Sequence, residues 1–403
     1  MIERTDRFNV LVKEKIRRPL IKIIAGDTVI SGNDIFSAEI KREAPFHIGG
    51  TEYKKARVVL KKESLGELLN TKFKAQIHIG FEDIKGQEYV NTGWYCARKW
   101  NIDGYINKAE VELWGLTNEL EEGPLPDLPV YEKMNLNAFA SILLPGAVFN
   151  GLDDRLDYAF LYDDTKNKVY SDIAKAMNAI LTYEDRPVFK SYSTNREESD
   201  SISQQDIYSL TGGLNGARSY EKAYISLSVP YKSDRKQLTR LSDRILPGYA
   251  ENCKIGDIKF TRPSQAKQVI FKGETWAQTG DYKLSSRRFN MLVSNNGPDM
   301  LYDLSVNGYD FLITVISDVP EETKIESIFE YTNCYIQNKS LKDNIDTGLL
   351  TDKRFSLKYP GNPAYEPGDI IHIEGLGKCM VTITGTEFKK GLTGSLEGVV
   401  LDG

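Results

Sequence analysis

The chain is 403 residues long, more than a single ordinary core of roughly 100–200 residues can use, so two to four domains are expected. Its composition, 40% hydrophobic and 27% charged, argues against extensive disorder, and 22 Tyr against 16 Phe suit half-wet sheet faces better than deep helical cores. With 52 basic against 57 acidic residues there is no basic surplus of the kind a nucleic-acid coat needs.

The opening stretch "MIERTDRFNVLVKEKIRRPLIKI" scatters its charges and lacks the apolar run of a secretory signal. The longest apolar stretch, "AFASILLPGAVF" (Ala138 to Phe149), is broken by Pro145 and is shorter than the ~20 residues that span a bilayer. A soluble protein made in a cytoplasm, with no stable membrane insertion, is expected. Period-two alternation then predicts strands: Phe36, Ala38 and Ile40 share a face in "IFSAEIKRE", as do Ala56, Val58 and Leu60, then Ala75, Ile77, Ile79 and Phe81, then Ala109, Val111 and Leu113. A helix-like "ESLGELLN" (Glu63 to Asn70) interrupts the series. Short antiparallel strands at this spacing predict a barrel or sandwich.

"ELEEGPLPDLPVYEKMN" (Glu119 to Asn135) carries three prolines and predicts an extended connector. Between Asn118 and Thr165 stand ten acidic residues against Lys133 and Arg155, so this segment is strongly negative and the rest of the chain net positive. A solvated acidic loop accounts for the segregation; a docking surface for a basic partner is the sharper expectation. Two helices follow, one capped by Asn135 with Leu136, Phe139, Ala140 and Leu143 inward, the other capped by Ser171 with Ile173, Met177, Ile180 and Leu181 inward. The polar run from Ser191 to Asp206 predicts an exposed loop, and "TGGLNGARS" (Thr211 to Ser219) a turn. Strands are predicted in "KAYISLSVPYK", "AKQVIFKGETWAQ" and "YDFLITVI", with a short helical "QLTRLSDRIL" among them. A last helix aligns Leu341, Ile345 and Leu349 despite Gly348. Two further strands close the chain: in the first Cys379, Val381 and Ile383 face one way and Met380, Thr382 and Thr384 the other, and "GSLEGVVL" forms the second.

Candidate chemistry is sparse. His47, His78 and His372 lack a metal-ligand spacing, Cys96, Cys253, Cys334 and Cys379 lie far apart, and no nucleophile elbow or phosphate loop is present. The aspartates Asp153, Asp154, Asp157, Asp163 and Asp164 do not follow a calcium-loop pattern. No catalytic, cofactor-binding or metal-binding residue is assigned, and none of these groups is expected as a cofactor or metal site. Trp94, Trp100, Trp114 and Trp276 suit sugar stacking as well as packing, which keeps a carbohydrate- or receptor-binding module open, with a cell-wall glycosidase as a third possibility.

The segments "GTEYKKARVVLKKE", "KAQIHIGFEDIKGQEYVNTGWYCARKW" and "KAEVELWGLTNELEE" resemble the N-terminal barrel of phage tail hub proteins, both the baseplate hub of contractile tails and the tail-associated (Tal-like) proteins of long non-contractile ones. The C-terminal order, "SLKDNIDTGLL", "RFSLKYP", "YEPGDIIHIEGLGKCMVTITGTEF" and "GLTGSLEGVV", is similar to that family's helix, strand, Pro-Gly-Asp turn and two closing strands. The resemblance implies a mainly β chain with α+β insertions: a tube-like β-barrel in 1–125, an acidic connector with a mixed α/β domain in 126–220, and a second tube-like β-barrel with a helical insertion in 221–403.

It also implies a non-enzymatic homotrimer forming a pseudo-sixfold ring at the distal tip of a virion tail or tail-like injection particle, assembled in the bacterial cytoplasm. Implied partners are the tail tube or distal tail protein, the tape measure protein, and spike, fibre or receptor-binding proteins, with DNA only in passage through the channel. Long relatives carry a hydrolase or fibre-attachment extension; the chain ends at Gly403, so any cell-wall hydrolase is expected on a separate chain.

Overall fold

The computed structural model describes residues 2–214 and 331–401, leaving aside 3, 15–16, 46–47, 103–106, 121, 127, 129–130, 162–164, 332, 344, 347–352 and 390; between them it describes the backbone of eight strands from Lys222–Ile225 to Ile328–Tyr331. The expected "QLTRLSDRIL" helix lies outside the described residues. The fold is mainly β. Its largest element is one sheet running in spatial order through Thr28–Ser31, Arg18–Ala25, Lys74–Asp83, Gly86–Ile102, Lys108–Gly115, Tyr53–Lys61, Ile35–Glu43, Gly377–Phe388, Leu392–Val400, Lys353–Tyr359 and Ser209–Leu214. Every neighbouring pair on this path is antiparallel, and the path is open at both ends among the described residues.

The alternating positions build the first core. Ala56, Val58, Leu60, Ala75, Ile77, Ile79, Phe81, Ala109, Val111 and Leu113 are all buried together, as their spacing predicts. Removing such a side chain from water is worth roughly 1.5–3 kcal/mol for the larger ones. Phe36 departs from the pattern: the register slips between Ile35 and Ser37, so Ile35 points inward and Phe36 stands exposed, with Lys108 Nζ 4.7 Å above its ring. One extra residue in a strand reverses the alternation before it. "ESLGELLN" forms two 3-10 turns, Lys62–Ser64 and Gly66–Leu68, because Gly66 takes a φ of 49° that a continuous helix does not allow.

A second core lies in the mixed region. Helices Leu136–Leu143 and Lys166–Ala176 pack with the strands Ala179–Tyr183 and Pro187–Ser191, and Tyr335, Ile336, Leu341 and Ile345 come from much later in the chain to join them. The inward set Leu136, Phe139, Ala140 and Leu143 is as expected, but Asn135 does not cap with its side chain. Asp153 takes that role, accepting from the Asn137 backbone N–H at 3.0 Å while Asn135 Nδ2 donates to its other oxygen. The second helix starts at Lys166, after Thr165, rather than at a Ser171 cap, and stops where Asn178 turns to φ 51°. Ile180 and Leu181 therefore belong to a strand. The run from Ser191 to Asp206 is not wholly a loop: Tyr192 is buried, and Asp200–Ile202 pairs in parallel with Ile370–Ile373. Thr211 to Leu214 of the glycine cluster is an edge strand against Lys353–Tyr359, not a turn.

The C-terminal elements come in the expected order: helix Lys339–Asp343, strand Lys353–Tyr359, the turn at Pro367, Gly368 and Asp369, then Ile370–Ile373, Gly377–Phe388 and Leu392–Val400. Cys379 and Val381 face a core with Phe355 and Leu396, while Met380 faces another with Ile180, Tyr192 and Val399. Thr382 is the extra residue of a bulge against Leu392–Val400, so beyond it Thr384 is buried and Ile383 only half-buried, the reverse of the expected faces.

A Cβ at Gly398 would run into the Met380 carbonyl oxygen and stand 2.8 Å from the Phe355 ring. Gly398→Ala is expected to destabilise the chain by about 1–3 kcal/mol through overpacking, read as a lower denaturant midpoint. An unchanged midpoint would mean that these strands are less closely paired than described.

Candidate functional site

The residues singled out for chemistry do not converge. His372 is exposed, with its Nδ1 3.4 Å from Glu198 Oε1; His78 is half-buried, its Nε2 unpartnered and its pKa pushed down by burial and by Lys22; His47 lies outside the described residues. Cys96, Cys334 and Cys379 are buried; the Cys253 side chain is outside the described residues. Among the described residues no group of three or more His, Cys, Asp or Glu is placed to hold a metal. In the acidic segment, Asp153 caps a helix and Asp154 accepts from the Arg155 backbone, while Asp163 and Asp164 lie outside the described residues. Glu119 and Glu122 both pair with Arg98 of the first sheet, and Lys72 reaches Glu119 at 3.3 Å, so part of the segment's charge meets bases within the chain.

The tryptophans are likewise engaged. Trp94 donates to Asp185, Trp100 to the Thr71 carbonyl and Trp114 to Glu112, and Trp114 lies edge-on to Tyr53 at 6.4 Å; Trp276 is outside the described residues.

What the structure does bring together is a junction of its three parts. Strands Ile35–Glu43 and Gly377–Phe388 pair from Glu43 with Ile383 to Ala38 with Phe388, which makes the first and last portions of the chain one sheet. At the end of this seam the buried Arg42 donates through Nε to Glu52 at 2.6 Å and through Nη2 to Glu366 at 2.7 Å. Glu52 also accepts from the Thr182 hydroxyl of the mixed region. Lys190, also from the mixed region, donates to both Glu366 oxygens at 3.1 and 3.0 Å and pairs with Glu184 at 2.6 Å. Lys54 donates to the Thr92 carbonyl at 3.0 Å and lies 5.4 Å from the Tyr95 ring centroid. Glu366 is set by the Pro-Gly-Asp turn, in which its own N–H donates to Asp369 Oδ2 at 2.8 Å.

Burial works against every charge here. It pushes the Glu366 and Glu52 carboxyls up, but Arg42, with Lys190 for the one and Lys54 for the other, more than reverses this and holds both below the carboxylate range. Burial lowers the Lys54 ammonium and neighbouring Arg42 lowers it further, to about 8, with Glu52 and Glu366 only partly compensating. Sequence pattern did carry a signal for these residues. Counting in twos, Arg42 continues the face of Ala38 and Ile40, and Glu52 and Lys54 precede Ala56, Val58 and Leu60 on theirs.

The open ends of the sheet form a second feature. Thr28–Ser31 exposes Val29, and Ser209–Leu214 exposes Leu210 with Tyr208 just before it.

No family model and no curated protein sequence matches this chain. Its fold is similar to that of solved phage tail proteins. The 43 kDa tail protein of prophage MuSo2 from Shewanella oneidensis aligns at 10% identity over 94% of this chain and 98% of its own, with a TM-score of 0.50. A tail protein from Neisseria meningitidis MC58 aligns at 8% identity over 94% and 96%, with a TM-score of 0.51. At these identities the likeness is one of fold, and it runs through both ends and the middle of the chain.

Breaking one partner of a buried ion pair strands the other, at a cost of about 3–5 kcal/mol, whereas an exposed pair is worth no more than about 1 kcal/mol. Glu366→Gln is therefore expected to lower unfolding stability far more than Glu110→Gln, which breaks the exposed pair with Arg57. Equal losses in denaturant titrations would show that the junction carries no special weight.

The junction also sets two pH windows. Stability from Glu52 and Glu366 is complete above the ordinary carboxylate value of 4.5 and is lost as pH falls through their lower folded values. Lys54 gives the same slope in an alkaline window. Between about 8 and its ordinary 10.5 the unfolded chain holds a proton that the folded chain has released, so its contribution to stability rises with pH across that window. The difference in stability between the native chain and Lys54→Met should widen in favour of the native chain from pH 8 to 10.5; a constant difference would contradict a depressed Lys54.

Proposed function

We propose that the chain is a structural hub protein at the distal tip of a phage tail or tail-like particle. Three copies close into a ring in which each chain supplies two tube-like β units, so a sixfold tube meets a threefold tip. The observation that carries this is the single sheet that passes from the first strands to the last through the seam at Ile35–Glu43 and Gly377–Phe388, with an open edge at either end. A ring needs a heterologous contact, one surface of each subunit meeting a different surface of the next, and two unlike edges on one rigid sheet offer that. Open edges on an isolated chain also invite uncontrolled association, which ring closure removes.

In this assignment residues 1–125 form the first unit, 126–220 the connector and mixed domain, and 221–403 the second unit, to which Asp200–Ile202 and Ser209–Leu214 lend strands. The fold likeness to two tail proteins across 94% of the chain supports a place in the virion tail. The tail tube or distal tail protein, the tape measure protein and a spike, fibre or receptor-binding protein are the proposed partners. The role is structural and non-catalytic. Sugar binding through tryptophan faces has less support, since Trp94, Trp100 and Trp114 each spend their indole N–H inside the chain.

Electron microscopy of the purified chain at high concentration tests the assignment. Rings with threefold symmetry and a central hole are expected. Compact monomers at every concentration, and in the presence of tail-tube protein, would overturn it.

A further inference from the structure

Beside the junction lies a cavity of about 470 Å³, lined by Arg42, Lys54, Thr92, Gly93, Lys190 and Glu366, with the exposed Glu184 and Asp185 on its rim. Two of its cations are incompletely satisfied. Arg42 spends Nε on Glu52 and Nη2 on Glu366, but its Nη1 is buried without a partner. Lys54 has three ammonium protons and gives one to the Thr92 carbonyl. Both residues are at least nine-tenths buried. A buried donor without an acceptor costs free energy, and Arg42 Nη1, on one cavity wall with a buried ammonium that has a single acceptor, calls for a physical reason.

Charge points the same way. Arg42, Lys54 and Lys190 are balanced within the buried junction by Glu52 and Glu366, while Glu184, which also pairs with Lys190, is more than half exposed. Arg42 and Lys190 thus have carboxylate partners, whereas among the described residues no carboxylate lies within ion-pair distance of the buried Lys54 ammonium, which burial and then Arg42 lower to about 8. The backbone keeps the space open: a side-chain carbon at Gly93, whose φ is 107°, would strike the Lys54 ammonium. A water molecule can accept from these donors but cannot neutralise the charge.

We propose that this cavity is a binding site for one small oxyanion, a carboxylate or phosphate group held between Arg42 Nη1 and Lys54 Nζ. Guanidinium and ammonium donors in a dry setting make short, charge-assisted bonds to such oxygens. The rim carboxylates of Glu184 and Asp185 turn away extended polyanions, so a nucleic-acid backbone is not the occupant. The site is independent of ring formation, and its failure would leave the hub assignment standing.

The test uses the full chain at pH 7 with inorganic phosphate and with acetate as separate probes, and chloride at matched ionic strength as the reference. A saturable rise in melting temperature with phosphate or acetate beyond that in chloride is expected. Lys54→Gln should weaken the apparent affinity roughly tenfold or more, the loss of one charge-assisted bond. Should that variant fail to fold, titration calorimetry on the native chain decides: phosphate and acetate competing for one site, with affinity falling as pH passes about 8, supports the proposal. The stronger of the two probes tells a free phosphate from a carboxylate such as a partner's side chain provides. Shifts equal to those in chloride, or unchanged in folded Lys54→Gln, or no competition in calorimetry, would overturn it.

Discussion

Arg42 holds an unusual position. Its backbone lies between Lys54 on one side and Thr384 on the other, while its guanidinium reaches Glu52 and Glu366. Through Glu52 it meets Thr182, and through Glu366 it shares a carboxylate with Lys190, so one buried cation touches all three parts of the chain. Apolar cores can slide by small amounts at little cost, because dispersion and the hydrophobic effect have little directionality. A buried guanidinium between two carboxylates cannot. Moving any one part away from it exposes a low-dielectric charge without its counter-charge, so the angle between the sheets is tied to bonds of fixed geometry.

Net stability is a different matter. Desolvating several charges costs much of what their attraction returns, and a well-packed apolar replacement is often as stable. The junction is therefore better understood as fixing an arrangement than as strengthening the fold. Most of the stability resides in the apolar clusters on either side of the seam, which themselves cross it: Ala364 and Leu392 pack into the first core with Phe81 and Val111. Met380 and Val399 pack with Ile180 and Tyr192 in another.

The strands of the first core were legible in sequence because each side chain there answers only to its own pleat. Ala75, Ile77, Ile79 and Phe81 alternate, and they are buried. Where a partner strand imposes a bulge, the pattern misleads: Phe36 stands outside, and Ile383 gives way to Thr384. A bulge is a property of a pair, and neither strand alone declares it. The same holds for the seam, whose two strands are separated by most of the chain. Arg42, Glu52 and Lys54 sit on the inward alternation yet carry charge, and taken singly each suggests a solvated strand end. Only the arrival of Glu366 and Lys190 from distant segments makes their burial tolerable.

The proposed ring, with two units per chain, would place a particular demand on that junction. Within one chain the angle between units is set covalently and by the seam, whereas between chains it is set by whatever the open edges meet. If the ring is to offer near-equivalent surfaces all the way round, the internal angle must match the external one closely, since any error repeats with each subunit and the ring then fails to close. A joint that tolerates sliding would spread this angle over a range, and open assemblies would compete with closed ones. Directional, buried bonds at Arg42 narrow the range at modest cost in net stability. The placement of the buried Arg42, Glu52 and Glu366 beside the seam, rather than inside an apolar cluster, fits the demand that the proposed ring would make.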